Sequence, residues 1–481
     1  MFRLTIEASK ESKIIIGTDN KANIQLILKG ELREHLSETD LDLAYLILSL
    51  FVYESLLKDG TKGHYYKKAK TEIHGTEPIN IEFSSIGEDK YQVVSDLVKY
   101  TLSFALDVFP EVSVVRSERE PSDSVKENDS SNDNAGEKVD AVFLFSGGLD
   151  SLIGLSYIED SKIKARGLFV SHGYGPLKSL VSDQLMPFVN KHSYRVTVVN
   201  VSKGSKGVQQ LRGLVYFVLG GLYAKVNGAH TLIVSEVGPT RYQPIYEILD
   251  EVTLTTHPVM VNLAKHFFLE MLNFELDIVL PFTDLTKAEA LALITDKKEY
   301  KEIAKMTNSC RNTSFAAAKK APTHCGHCLG CIVRRISMIV TKIENNIEDY
   351  YSSDVLVKDI GDPDGRRPNT KISLNSMNDL LMLMNFSKEI LLGKTNQIGY
   401  AKIRDYNKEE LFRRFSLDVM SVLSILYEHE DEEPEGKGKN RYLKELYKEY
   451  KSLGIIDKAL ADKRAEEIKE KKYKPKSVEI K

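Results

Sequence analysis

Tryptophan is absent from this 481-residue chain, and cysteine occurs only four times. Excess charge is scarce as well. A formal net charge of −3 leaves no global basic footprint, so nucleic acid is not an expected partner. The opening residues MFRLTIEASK have no basic stretch followed by an apolar one, so no secretory signal is read. Long apolar runs are missing too. The most hydrophobic window, residues 43–53, is too short to span a bilayer. It follows Ser37-Glu-Thr-Asp40, a capping-box pattern, and reads as a buried helix. These absences imply a cytoplasmic, reducing location with no membrane partner, where the four cysteines are not expected to pair as disulfides.

What is present is the composition of an ordinary globular protein, 42% hydrophobic and 28% charged. The length predicts about three domains. Residues 1–115 mix short strands with helices near 40–57 and 92–108, an N-terminal α+β accessory domain. Residues 116–138, RSEREPSDSVKENDSSNDNAGEK, are polar and poor in large apolar side chains, and read as a disordered linker. From 139 the pattern alternates. Strands are expected at 140–145, 166–171, 195–201, 230–235 and 277–281, with helices between them, including 207–226 and 259–273. Strands without period-two alternation, interleaved with helices, predict an α/β fold: a parallel, doubly wound sheet covered on both faces. After about 346 comes an irregular stretch with DPDGRRP at 362–368. A helical region follows, with segments 376–392, 406–429, 439–453 and 456–472. The last is almost wholly charged and reads as a solvated helix.

The stretch FLFSGGLDSLIG, residues 143–154, joins the first of these strands to a helix. Gly147 and Gly148 let the backbone turn sharply and approach a ligand closely. A helix opening at Asp150 and Ser151 aims free N–H groups and its positive dipole end back at the turn. Ser146 and Ser151 offer hydroxyl donors to phosphate oxygens. Asp150, an anion, suits Mg²⁺ or loop orientation rather than phosphate itself. The string is neither a Walker A loop nor a dinucleotide G-x-G-x-x-G. A phosphate cradle is the expectation, against the plain alternative of a capped helix after a glycine turn.

All four cysteines cluster late, Cys310 and then Cys325, Cys328 and Cys331 in THCGHCLGC. Two consecutive C-x-x-C steps place three thiolates on one turn, and Cys310 can close a tetrahedron from the preceding loop. Structural Zn²⁺ is the expected occupant. An iron–sulfur cluster and a redox C-x-x-C are the rivals, and His324 and His327 are alternative ligands. A closed four-cysteine site has no open position for catalysis, so the reacting centre is expected at the phosphate loop.

The two motifs together resemble the PP-loop ATP pyrophosphatases. Ser146-Gly147-Gly148-Leu149-Asp150-Ser151 is similar to their SGGxDS pyrophosphate loop. The late cysteine cluster, followed by Arg334 and Arg335, resembles the 7-cyano-7-deazaguanine synthase (QueC) family within that superfamily. So do residues 280–289, LPFTDLTKAE, and the Arg212-led helix start. The likeness covers roughly 139–345. Two departures stand out: Ser171-His172-Gly173-Tyr174-Gly175 replaces the synthase's Asp-Tyr-Gly-Gln, and Ser235-Glu236-Val237-Gly238 replaces its acidic stretch at the fourth strand end. The front region is similar, by general pattern, to QueC-like proteins of bacterial antiviral defence operons.

The resemblance implies a Rossmann-like core of the PP-loop type using ATP, with Mg²⁺ and structural Zn²⁺. A deazapurine carboxylate, 7-carboxy-7-deazaguanine or a relative, would attack the α-phosphorus to give an acyl-adenylate and pyrophosphate. An amine would then displace AMP. Loop residues 146–151 would hold pyrophosphate, Lys287 would add a cation, and His172 and Arg212 would contribute to nucleotide binding. Each of the last three has a plain alternative: Lys287 an exposed helix-start lysine, Arg212 likewise, His172 an ordinary loop histidine. The acceptor is ammonia, giving the nitrile after a second activation, or a protein amine, giving a conjugate. The added regions favour a protein partner, and a homodimer stays open. A tRNA-modifying reaction and a non-catalytic nucleotide-binding scaffold are the competing readings.

Overall fold

The computed structural model describes strand residues 2–3, 5–9, 13–17 and 24–27, and then 35–59, 79–83, 85–116, 138–171, 185–191, 196–201, 210–242, 254–310, 324–326, 328–343, 351, 355–356, 374–394, 408–428 and 441–480. Residues 117–137 of the expected linker, His172, His327 and the 362–368 segment lie outside the described residues.

Five parallel strands form one continuous part of the main sheet: β7 (Ala141–Leu144), β8 (Ala165–Ser171), β9 (Val196–Val201), β10 (Thr231–Ile233) and β11 (Asp277–Val279). Their spatial order is β11-β10-β7-β8-β9. The chain therefore runs outward from β7 in one direction through β8 and β9, and then restarts on the other side at β10. That reversal, between β7 and β10, is where open α/β sheets leave a crevice beyond the strands' carboxyl ends.

The residues of β7 show why the strands are apolar at every position. Val142 belongs to the core on one face, while Ala141 and Phe143 belong to the core on the other. Both faces are covered, so no position is left to be polar. On one face lie α5 (Arg212–Val226) and α7 (Pro258–Leu272), joined in a single core by α1 (Glu38–Asp59) and α2 (Tyr91–Leu106) from the front of the chain. The opposite face is covered by α3 (Leu149–Asp160), α8 (Lys287–Ala292) and α9 (Lys298–Met306).

The front of the chain is knitted to this sheet. β2 (Thr5–Ser9), β3 (Lys13–Gly17) and β4 (Ile24–Ile27) form an antiparallel meander, and β4 pairs antiparallel with β9. Among the described residues the main sheet thus has eight strands. A separate three-stranded parallel sheet is built from β1 (Phe2–Arg3), β5 (Ile79–Phe83) and β6 (Val112–Arg116). Between β8 and β9 lies the short helix α4 (Met186–Lys191), and after β10 the short α6 (Gly238–Tyr242). Among the described residues no helix is long and apolar enough to cross a membrane.

The helical region comprises α10 (Leu329–Val340), α11 (Leu374–Leu391), α12 (Glu409–Tyr427), α13 (Arg441–Ser452) and α14 (Lys458–Lys469), which share a third core. Here the structure corrects one expectation. α14 is not a solvated helix: Ala461, Arg464 and Ile468 form a buried stripe against α12. The stripe is narrow and has a charge at its centre, so a count of charged residues hides it. Arg464 can be buried because two carboxylates, those of Glu289 and Asp418, are buried with it.

Candidate functional site

The loop after β7 is already folded into a cradle. Phe145 donates its N–H to Leu168 O at 2.9 Å, which extends the pairing with β8 by one residue. Gly147 then takes φ +74°, a left-handed conformation that a side chain disfavours. Its carbonyl is held by Asn308 N at 3.2 Å. Gly148 is the N-cap of α3, with no side chain capping the helix, so the first N–H groups of α3 remain available. The two serines have different duties. Ser151 is buried, and its hydroxyl donates to Gly148 O at 2.9 Å and accepts from Ser146 N at 3.3 Å. Ser146 is exposed, and its Oγ lies 3.2 Å from Ser151 Oγ. Ser151 therefore shapes the turn from within, while Ser146 stands at its exposed lip with its Oγ accepting from Gly148 N at 3.3 Å. Leu149 sends its side chain into the core and contributes only backbone to the cradle.

Asp150 meets Lys287 at this point. Lys287 Nζ lies 2.8 Å from Asp150 Oδ2. Lys287 is the first residue of α8 and is 9% exposed. It is thus not the exposed helix-start lysine of the plainer reading. Its helix begins at a capping box: Thr286 Oγ1 accepts from Glu289 N, and Glu289 Oε2 accepts from Thr286 N at 2.9 Å. Asp150 Oδ1 is buried and has no hydrogen-bond partner among the described residues.

Two further charges complete the corner. Glu236 lies just beyond the end of β10, and its carboxyl is pushed up to about 7. Burial is the main cause and the nearby Asp150 carboxylate adds to it, while Lys287, Arg212 and a hydrogen bond with Thr240 pull the other way. Arg212 opens α5, and its Nε is buried with no hydrogen-bond partner among the described residues. The start of α5 is itself held from α1: the buried Glu54 carboxylate accepts from the backbone N–H of Gln210 and, at 2.9 Å, of Leu211. Asp150, Lys287, Glu236 and Arg212 thus interact as one charged group beside the β7 loop, at the β7–β10 reversal. The candidate-residue reading from sequence omitted Glu236. The available signal was its position directly after a parallel strand, where ligands bind in such sheets.

The cysteines converge at the far side of Asn308. Cys310, Cys325, Cys328 and Cys331 place their sulfur atoms within 4.8 Å of one another, and none is in a disulfide. Cys325 and Cys331 sulfurs are 3.7 Å apart. A tetrahedron with Zn–S bonds of about 2.3 Å has edges of about 3.8 Å, so the spacing fits one zinc ion. Cys325 and Cys328 also turn their backbone N–H groups toward the sulfurs of Cys310 and Cys325, each at 3.4 Å. Gly326, at φ +81°, makes the reversal between them. Hydrogen bonding within the cluster raises the Cys310 and Cys331 thiols and lowers Cys328. Behind the knuckle, Arg334 is fully buried, donating to Thr307 Oγ1 at 2.8 Å, Ala304 O at 3.0 Å and Tyr351 Oη at 3.2 Å. It ties the cysteine turn to α9. His324 is buried beside Tyr351 and receives the Ser309 N–H at 3.4 Å. It supports the cluster rather than joining its four sulfurs.

Residues 208–340 match the family model of the queuosine biosynthesis protein QueC. No curated protein matches the chain. The matched segment is QueC-like, as the sequence motifs imply. It contains Arg212, Glu236, Lys287 and all four cysteines, while the glycine loop at 146–151 lies ahead of it.

Proposed function

We propose that this chain, QueC-like over 208–340, is an ATP-dependent enzyme that adenylates a carboxylate and joins it to an amine. The observation that carries this reading is the Asp150–Lys287 pair set against the glycine loop at the mouth of the parallel sheet. The loop amides, Ser146 and the start of α3 would receive the β- and γ-phosphates. Lys287 would swing its ammonium between Asp150 and the departing pyrophosphate. Asp150 Oδ1, buried without a hydrogen-bond partner among the described residues, fits the Mg²⁺ that accompanies ATP and neutralises phosphate charge.

The substrate carboxylate oxygen attacks the α-phosphorus, and the bond from that phosphorus to the bridging oxygen breaks. Pyrophosphate leaves, and an acyl-adenylate remains. The amine nitrogen then attacks the acyl carbon, loses a proton, and expels AMP with the former carboxylate oxygen. Activation is needed because a carboxylate has no leaving group for an amine to displace. The protein's share is positioning and charge stabilisation. Glu236, poised near neutrality, is suited to accept the amine's proton.

The acyl donor is 7-carboxy-7-deazaguanine or a close relative, and the acceptor is a protein amine, as in QueC-like proteins of bacterial defence operons. The regions outside the matched segment support a macromolecular acceptor. The four cysteines fit structural zinc. The QueC match also supports a second reading, in which ammonia is the acceptor and the nitrile the product.

Incubation with ATP, Mg²⁺, 7-carboxy-7-deazaguanine and ammonia, followed by mass spectrometry, tests these readings. AMP with adenylate or amide alone supports the protein-acceptor ligase. AMP with nitrile selects the second reading. No acid-dependent AMP would overturn both, leaving the tRNA-modifying and scaffold alternatives.

A further inference from the structure

The helical region outside the QueC-matched segment reaches into the corner that holds Lys287. Arg464 of α14 is 1% exposed. Its guanidinium donates to Glu289 Oε1 at 2.7 Å and to Asp418 Oδ1 of α12 at 2.8 Å. Glu289 is the same residue whose other oxygen, Oε2, closes the capping box on Thr286 N. Arg414 of α12 approaches Glu289 Oε1 at 3.4 Å and donates to Asp284 O at 2.7 Å. The turn before α8 is held further by Lys408 and Lys476, which pair with Asp284 at 2.6 and 2.9 Å, and by Lys476 N on Pro281 O at 2.8 Å.

We propose that Arg464 is a positioning residue for Lys287, setting the Glu289 rotamer, and through the capping box the first turn of α8, so that the ammonium faces Asp150. The assignment rests on the proposed role of Lys287 in the adenylating reaction. Both Glu289 oxygens have defined partners, so the carboxylate has one orientation that satisfies the box and the arginine together. The capping box stands at a helix of only six residues. Such a short helix gains little from its own hydrogen bonds and takes its orientation from what it is anchored to. A displacement of about 1 Å at a charge-stabilising group can cost about a hundredfold in rate.

The test compares Arg464→Met with the double variant Arg464→Met, Asp418→Leu. The single variant leaves the buried Asp418 without its cation and Glu289 with Arg414 alone, and is expected to lose stability. The double variant removes one charge of each sign and keeps Glu289, its pairing with Arg414 and the capping box. Two readouts apply: AMP formation, and the rate at which an amine-acylating reagent labels Lys287, followed by peptide mass spectrometry. The expected result is a double variant with near wild-type melting, kcat lower by about tenfold or more with little change in KM for ATP, and Lys287 labelled several-fold faster while Lys265 is unchanged. A double variant with wild-type kcat and wild-type Lys287 labelling would overturn the proposal and make Arg464 purely structural. If the wild-type protein forms no AMP, the functional reading falls, and the labelling rate alone still decides whether Arg464 places Lys287.

Discussion

Cys325, Cys328 and Cys331 meet through a single chain reversal and the first turn of α10, with Cys310 added from the loop just before. Asp150, Arg212, Glu236 and Lys287 come instead from four separate places along the sheet: the start of α3, the start of α5, the end of β10 and the start of α8. The cysteine site is a local object whose geometry follows from residue spacing. The charged corner exists only because β7 and β10 are neighbours in space. The first therefore should fail as a unit when one ligand is lost, and the second should degrade piece by piece.

The largest expected effect is at the cysteines. With zinc held at the four sulfurs as proposed, Cys325→Ser or prolonged chelation should release it and lower the melting temperature by about 5 °C or more, read by metal analysis and calorimetry. Iron instead of zinc in the purified protein would redirect the reading toward a cluster. Next comes the corner. Lys287→Met should lower AMP formation by about a hundredfold, while Lys287→Arg should recover part of it, because the cation and not the shape is needed opposite Asp150. Equal loss in both variants would mean that the pair is structural. The comparison sharpens if Lys287→Met leaves metal content at the wild-type level.

Glu236 should leave a smaller, pH-dependent signature. Burial raises its carboxyl from an ordinary value of 4.5 to about 7, so the folded state binds the proton more tightly than the unfolded chain. Its contribution to stability is complete below about 4.5 and is lost as pH rises through 7. Melting temperatures at pH 5 to 8 should fall with rising pH in the wild type, and Glu236→Gln should flatten that slope. The smallest effect is expected for Thr286→Ala, which removes one half of the capping box at α8 and should cost about 1 kcal/mol in denaturant unfolding.

Much of the fold was legible along the chain. The five parallel strands and the main helices lie within a few residues of where apolar runs and turn residues place them, as with 141–144 inside the expected 140–145. Periodicity and burial on both faces leave a strong trace in single residues, as at Val142 and Phe143. The corner was half legible. The glycine loop, Arg212 and Lys287 stand out by motif, whereas Glu236 lies in a strand-end stretch, Ser235-Glu236-Val237-Gly238, that departs from the family pattern and so is marked only by its place. The segment 456–472 that carries Arg464 reads as solvated because charge in a helix usually marks solvent, and nothing local shows that Glu289 and Asp418 are buried beside it.

Residue order by itself determined the elements that depend on neighbours in sequence: the turn at Gly147, the capping box at Thr286 and Glu289, and the cysteine knuckle. These are set by backbone sterics and short-range hydrogen bonds, which need only a few consecutive residues. Tertiary structure alone decided which charges face one another. The pairing of Asp150 with Lys287, the raised carboxyl of Glu236, and the burial of Arg464 beside Glu289 and Asp418 all require segments far apart in the chain to be packed together. Coulomb forces and desolvation depend on distance in space and on the loss of water, and neither is written into a run of adjacent residues.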